Sequence, residues 1–316
     1  MTAILPTTTD FFCTDVSTNM GEAQHGTAVT ATIWFILEVR GGWPAQAPAD
    51  NDLPQPVQDW LNTQVEGVEN GRLQFIRGEK NETGPLTFFI AQTGEQHQAV
   101  YRFALESYED LLQMDVTAVL AHDPTYAAHQ WRDPLVLVCT HGRRDRCCAK
   151  FGLPVYNTLR AGLGGAVWQT THTGGHRFAP TLLTFPDGTS YGRFTLEDIS
   201  QLTQAINNRH LFPDKLRGRC CYTAVAQVAD YFLRQETEVL DLDAFQHLST
   251  QTINENQWLI TFSQPEVHQT HKLTIEAAEP LQLYASSGSF KLKTVSQFQL
   301  VSYEVGNMAL LRRNLG

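Results

Sequence analysis

Residues 134–152 read PLVLVCTHGRRDRCCAKFG, and residues 172–188 read HTGGHRFAPTLLTFPDG. The apolar run ending at Cys139 has the length and β-branched content of a buried strand. From Cys147 the pattern turns helical, with Phe151, Val155 and Leu159 on one face and a stop at Gly162. A second short strand, AVWQT (166–170), leads into the HTGGH turn. Strand, helix and strand in this order make a βαβ unit and place the chain in the α/β (α+β) class.

The same stretch concentrates soft and borderline metal donors. Cys139 and Cys148 stand in Cys-x8-Cys spacing, and the adjacent Cys147 leaves the second thiolate open between two neighbours. His172 and His176 follow in His-x3-His spacing around Gly174 and Gly175. Two thiolates and two imidazoles are a four-ligand set for a soft or borderline metal. Glycines between the histidines allow a tight turn that aims both rings the same way and lets backbone approach a bulky group. The wide loop between the cysteines suits a cofactor larger than one ion, and the donor count is that of a [2Fe–2S] cluster with two unlike irons, as in Rieske centres. The competing reading is a structural or regulatory Cys2His2 zinc site. A thiol–disulfide oxidoreductase is weaker, because a C-x-x-C motif is missing.

The element order around this unit is read twice. In the first half an apolar strand, IWFILEV (33–39), precedes a helix from about Leu53 with Val57, Trp60, Leu61 and Val65 on one face, and strands follow near Leu73, Leu86 and Val100. ESYEDLLQM (106–114) closes that half as a helix. The second half adds strands at APTLLTF and SYGRF, joined by a Pro186-Asp187-Gly188 turn, and a helix capped by Thr195 and Asp198. Both halves read βαβββα, which implies a structural duplication with donors in the second copy only. A further helix is expected over about Lys215 to Leu233, containing Cys220 and Cys221 as packing residues. From Asp241 alternating runs such as QWLITF and HKLTIEA predict a β-rich appendage. The expected boundaries are 1–131, 132–239 and 240–316.

Composition narrows the function. The chain has 316 residues, 42% hydrophobic and 18% charged, with a net charge of −10, a balance that excludes a basic nucleic-acid face. No apolar run reaches the length of a membrane span, and the N-terminus lacks the charge and apolar core of a signal peptide. Six cysteines, four of them in adjacent pairs, do not form a disulfide framework, so a reducing cytoplasm is expected. The other histidines, and Cys13, read as ordinary structural residues.

CTHGRRDRCCAKFG and HTGGHRFAPTLLTFPDG, together with FFCTDVSTNMGEAQHGTA (11–28) and WFILEVRGGWP (34–44), closely resemble the sucrase/ferredoxin-like family. The resemblance covers most of the chain and least of all its β-rich tail. It implies tandem thioredoxin-like domains, the second an iron–sulfur ferredoxin domain, and its spacing selects Cys148 over Cys147. Carried over, Cys139 and Cys148 would hold one iron and His172 and His176 the other, with histidines where thioredoxin-like ferredoxins have cysteines. The implied function is electron transfer or redox sensing between unidentified redox protein partners. Enzymatic turnover is not indicated, and no carboxylate pair in a recognisable motif supports sucrose hydrolysis. Imidazoles in place of thiolates raise the potential toward the Rieske range, roughly −150 to +300 mV against about −400 mV for plant-type ferredoxins. They also make it proton-dependent. His141, Arg143, Arg144, Asp145, Arg146, Cys147, Gly174 and Gly175 are candidates for supporting or tuning the centre, with loop capping and a solvated charged face as the plainer readings.

Overall fold

The computed structural model describes residues 5–78 and 83–307. A short helix, Cys13–Asn19 (α1), precedes the first half, in which the apolar run at Ile33–Glu38 forms β1. Then come Gln55–Glu66 (α2), Gly71–Arg77 (β2), Leu86–Thr93 (β3), Gln98–Leu105 (β4), a 3-10 turn over Tyr108–Gln113, Val116–Leu120 (α3) and the two-residue strand Gln130–Trp131 (β5). The second half comprises Leu135–Cys139 (β6), Arg146–Leu163 (α4), Val167–Thr170 (β7), Thr181–Phe185 (β8), Thr189–Gly192 (β9), Ile199–Asn207 (α5) and Leu216–Arg219 (β10). Ala224–Thr237 (α6) leads to the tail strands Gln246–Asn254 (β11), Gln257–Gln264 (β12), Gln269–Tyr284 (β13) and Leu292–Asn307 (β14).

Ten strands form one mixed sheet in the order β10-β9-β8-β6-β7-β2-β1-β3-β4-β5. The first half contributes β2-β1-β3-β4 and the second repeats that order as β7-β6-β8-β9, each with a last strand added on its outer edge. In both, the helix-linked pair is parallel, as a βαβ crossover requires, and the remaining pairs are antiparallel. The halves meet where β2 runs antiparallel to β7, pairing Ile76 with Thr170 and Arg77 with Gln169. One sheet therefore runs through both halves.

Strand periodicity assigns the faces. Phe35 and Leu37 turn to one side, where Val57 and Leu61 of α2 join Phe88 and Ile90. Trp34 and Ile36 turn to the other, against Phe89, Leu137 and Leu183. In the second half, Val155, Tyr156 and Leu159 of α4 cover Val136 and Val138, with Leu202 of α5 beside them. The tail forms a separate four-stranded antiparallel sheet, β11-β12-β13-β14. Its Ile260, Phe262, Leu273 and Ile275 bury against Val228 and Leu233 of α6. The far end of the β13–β14 hairpin returns to the N-terminus, where Leu283 and Val295 pack with Phe11 and Val16.

The helix expected from Lys215 to Leu233 is broken in two. Leu216–Arg219 is the edge strand β10, Cys220 and Cys221 lie in a turn, and helix begins only at Ala224. Gly218 has φ +146°, outside any helical conformation. The apolar spacing of Val225, Val228 and Phe232 belongs to α6 alone, and extending it backwards merged the two elements. Among the described residues, no helix is long and apolar enough to cross a membrane.

Candidate metal centre

The parallel pair β6–β7 ends at Cys139 and Thr170, which sit opposite each other in register. The chain leaves both strands at their carboxyl ends, the edge at which α/β sheets place ligands. Asp145 has extended backbone (φ −155°, ψ 138°) and accepts the Cys147 N–H at 2.9 Å, capping α4. This cap starts the helix so that Cys147 and Cys148 both fall in its first turn. Gly152, one face further along, sets how close the helix lies: a methyl group there would stand 2.1 Å from the Cys139 carbonyl oxygen. Glycine thus lets α4 press Cys148 against the end of β6.

Cys139, Cys148 and His172 converge into one compact set, their ligand atoms all within 4.8 Å of one another. His172 Nδ1 is 4.0 Å from the Cys139 sulfur and 3.8 Å from the Cys148 sulfur. Both thiols are buried, at 0% and 1% exposure. A hydrogen bond from Cys148, with help from His172, holds the Cys139 thiol well below its ordinary value. The same bond keeps the proton on Cys148, whose thiol is raised well above its ordinary value.

His176 belongs to the same neighbourhood but not to that compact set. Its ring centroid lies 5.3 Å from that of His172. Its Nδ1 stands 3.1 Å from the Cys13 sulfur and 3.4 Å from Asp145 Oδ2. Burial pushes this imidazole down to about 4 against the pull of Asp145, so the ring is neutral; its Nδ1 hydrogen-bonds with the Cys13 sulfur and lies beside the carboxylate without an ion pair.

The HTGGH turn is built from glycines and two buried cations, Arg217 and Arg177. Gly174 has φ +86° and Gly175 φ +69°, left-handed conformations that favour glycine. A methyl group on Gly175 would also meet the Arg217 guanidinium at 2.4 Å. Arg217 is fully buried and donates to the Gly174 carbonyl at 3.1 Å and to the carbonyl and hydroxyl of Thr27. Desolvation lowers this guanidinium to about 10, so its charge persists at neutral pH. Arg177 makes a two-pronged buried pair with Glu22, at 2.7–3.1 Å, which ties the turn to the N-terminal segment.

The remaining sequence candidates divide. His141 is buried; its Nε2 donates to the Pro44 carbonyl at 2.8 Å and its Nδ1 accepts the His172 N–H at 3.3 Å. Burial lowers its pKa, and this neutral ring positions the His172 backbone. Arg143 and Arg144 are exposed in the loop, Arg144 reaching Gln46, and Arg146 donates to the Thr9 and Phe11 carbonyls over the Phe12 ring. With Lys150 they form a basic rim on an acidic protein.

Three residues at the site carried no local signal. Cys13 lies 3.2 Å, sulfur to sulfur, from Cys147. Ser287, at the tip of the β13–β14 hairpin, donates to Asp145 through its hydroxyl at 2.7 Å and its N–H at 2.9 Å. Arg217 lies on β10, where the sequence pattern predicts a helix. Cys13, Asp145 and Cys147 form a second compact group of metal-capable side chains.

Fold and site together define a mixed α/β protein with buried cysteine and histidine groups able to hold a metal. The sucrase/ferredoxin-like family model matches residues 24–218, more than half of the chain, and the protein belongs to that family. No curated protein and no solved structure matches it.

Proposed function

We propose that the protein is an electron carrier or redox sensor holding a [2Fe–2S] cluster through Cys139, Cys148, His172 and His176. The observation that carries this reading is the convergence of two buried thiols with an imidazole nitrogen 3.8–4.0 Å from both sulfurs. His176, outside that compact set with its ring centroid 5.3 Å from that of His172 and Asp145 beside it, is the fourth donor on this reading. When bound, such a cluster supplies one-electron chemistry at a potential raised by imidazole ligation. The protein's own residues hold and tune the donors: Asp145 fixes the His176 ring, His141 the His172 backbone, and Arg217 the turn that carries both. The repeated βαβββα halves are, on this reading, thioredoxin-like units of which the second holds the cluster, with the tail from about residue 240 as an added segment.

The basic rim of Arg143, Arg144, Arg146 and Lys150 suits docking of an acidic redox protein, and six free thiols suit a reducing cytoplasm. A zinc site is the second reading. The mutual spacing of Cys139, Cys148 and His172 is close to the ligand–ligand distances of about 3.6–3.8 Å around one tetrahedral zinc ion. Metal and sulfide determination with a visible spectrum separates the two. The cluster gives a red-brown protein with about two irons and two sulfides per chain. A colourless protein with about one zinc per chain overturns it.

A further inference from the structure

Cys13 and Cys147 lie outside the four proposed ligands, yet their sulfurs approach to 3.2 Å. Both side chains are buried, at 1% and 0% exposure. Three separate segments build the pair: the first residue of α1, the first turn of α4, and the hairpin tip at Ser287, whose hydroxyl stands 2.9 Å from the Cys147 sulfur and accepts the Cys13 N–H at 3.0 Å. Two thiols at this distance are within reach of a covalent bond through small side-chain adjustments. A second metal site on the same residues fits less well. Asp145 spends its oxygens on the Cys147 N–H and on both donors of Ser287, so it is not a free ligand.

We propose that Cys13 and Cys147 are a reversible redox pair, oxidised to a disulfide by a small hydroperoxide and returned by a dithiol. Cys147, at the helix N-terminus, is the sulfur placed to attack. It bonds to the terminal peroxide oxygen, the O–O bond breaks, and an alcohol or water leaves with the thiol's proton, giving a sulfenic acid. The Cys13 sulfur then attacks that sulfur, the S–O bond breaks, and the Cys13 proton leaves with the hydroxide as water. Two thiols and one hydroperoxide become one disulfide, one alcohol and one water. A dithiol reverses the step by thiol–disulfide exchange, itself becoming the disulfide. Burial under Ser287 restricts the oxidant to a small molecule. Bond formation staples α1 to the helix carrying Cys148 and removes Cys13 from His176 Nδ1, leaving Asp145 as its partner, so the pair reports oxidant directly to the site.

The test treats the protein as isolated with a few equivalents of hydrogen peroxide, followed by alkylation and peptide mass mapping without reductant. The expected result is a Cys13–Cys147 linked peptide, two hydrogen masses light, that disappears with dithiothreitol. In Cys13→Ser, Cys147 is instead trapped by dimedone as a sulfenic acid. Both readouts are masses and independent of bound metal, so they succeed or fail separately from the cluster assignment. Both thiols remaining alkylatable, Cys147 linked to Cys148 or another cysteine, or Cys147 passing directly to sulfinic acid in the wild type would each overturn the proposal.

Discussion

Asp145 meets three demands with one carboxylate. It caps α4 through the Cys147 N–H, receives the hairpin tip at Ser287, and faces His176 Nδ1. Burial opposes its charge, but the bonds from Cys147 and Ser287 hold the carboxyl below its ordinary value. Gly152 is as consequential without chemistry of its own. Gly152→Ala places a methyl group against the Cys139 carbonyl, and overpacking of this kind costs roughly 1–3 kcal/mol. The variant is expected to lose several degrees of melting temperature and bind less metal per chain, measured by scanning calorimetry and metal analysis; unchanged values would show that α4 does not depend on this close approach. At this scale the sequence was informative where donors are local. Cys139, Cys148 and His172, which the fold gathers into one set, and His176 beside them stand out in the sequence by spacing. Cys13, Arg217 and Ser287 do not, because each meets its partners across long separations that only the folded chain closes.

Single elements carry the next level. The HTGGH turn is anchored by Arg177 on Glu22, both largely buried. Removing one partner of such a pair strands a buried charge, at a cost of about 3–5 kcal/mol. Glu22→Leu is therefore expected to destabilise strongly, and Glu22→Leu with Arg177→Met to recover much of the loss, as denaturant midpoints would show; equal destabilisation of single and double variants would contradict this. His25, which stacks on Tyr231 of α6 at 4.1 Å between ring centroids, tests the same N-terminal segment by pH. Burial lowers it to about 4 from an ordinary 6.5, so the unfolded chain binds the extra proton first. Its contribution is fully present above about pH 6.5 and is lost as pH falls toward 4, up to about 3 kcal/mol. His25→Phe should flatten that part of the stability–pH curve; an unchanged slope would place the acid sensitivity elsewhere. Periodicity located α2, α4 and most sheet strands, because their buried faces repeat at 3.6 or 2 residues. It missed α1, whose burial comes from contact with the hairpin and the turn, and it merged β10 with α6, because Arg217 and Arg219 are inward-facing charges that look solvated in a linear reading.

For the whole molecule, the repeated strand order explains how an acidic chain builds one continuous sheet under the candidate donors. β6 and β7 lie inside the ten-stranded sheet, flanked by β8 and β2, so the strand ends carrying the site are supported on both sides. The tail sheet is not a detached appendage, since its hairpin closes over Cys13, Asp145 and Cys147. The βαβββα repeat was legible because each half has its own apolar periodicity. That the halves share one sheet was not, because the β2–β7 junction rests on two residue pairs. The central claim is that two histidines and two cysteines together hold a two-iron cluster. Low-temperature EPR of the dithionite-reduced protein, with pulsed detection of nitrogen couplings, tests it most directly. The predicted result is a spin-half signal coupled to two imidazole nitrogens, one lost in His172→Cys and the other in His176→Cys, each variant keeping a cluster at a potential lower by on the order of 100 mV. No signal with stoichiometric zinc, or a cluster signal without nitrogen coupling, would contradict it.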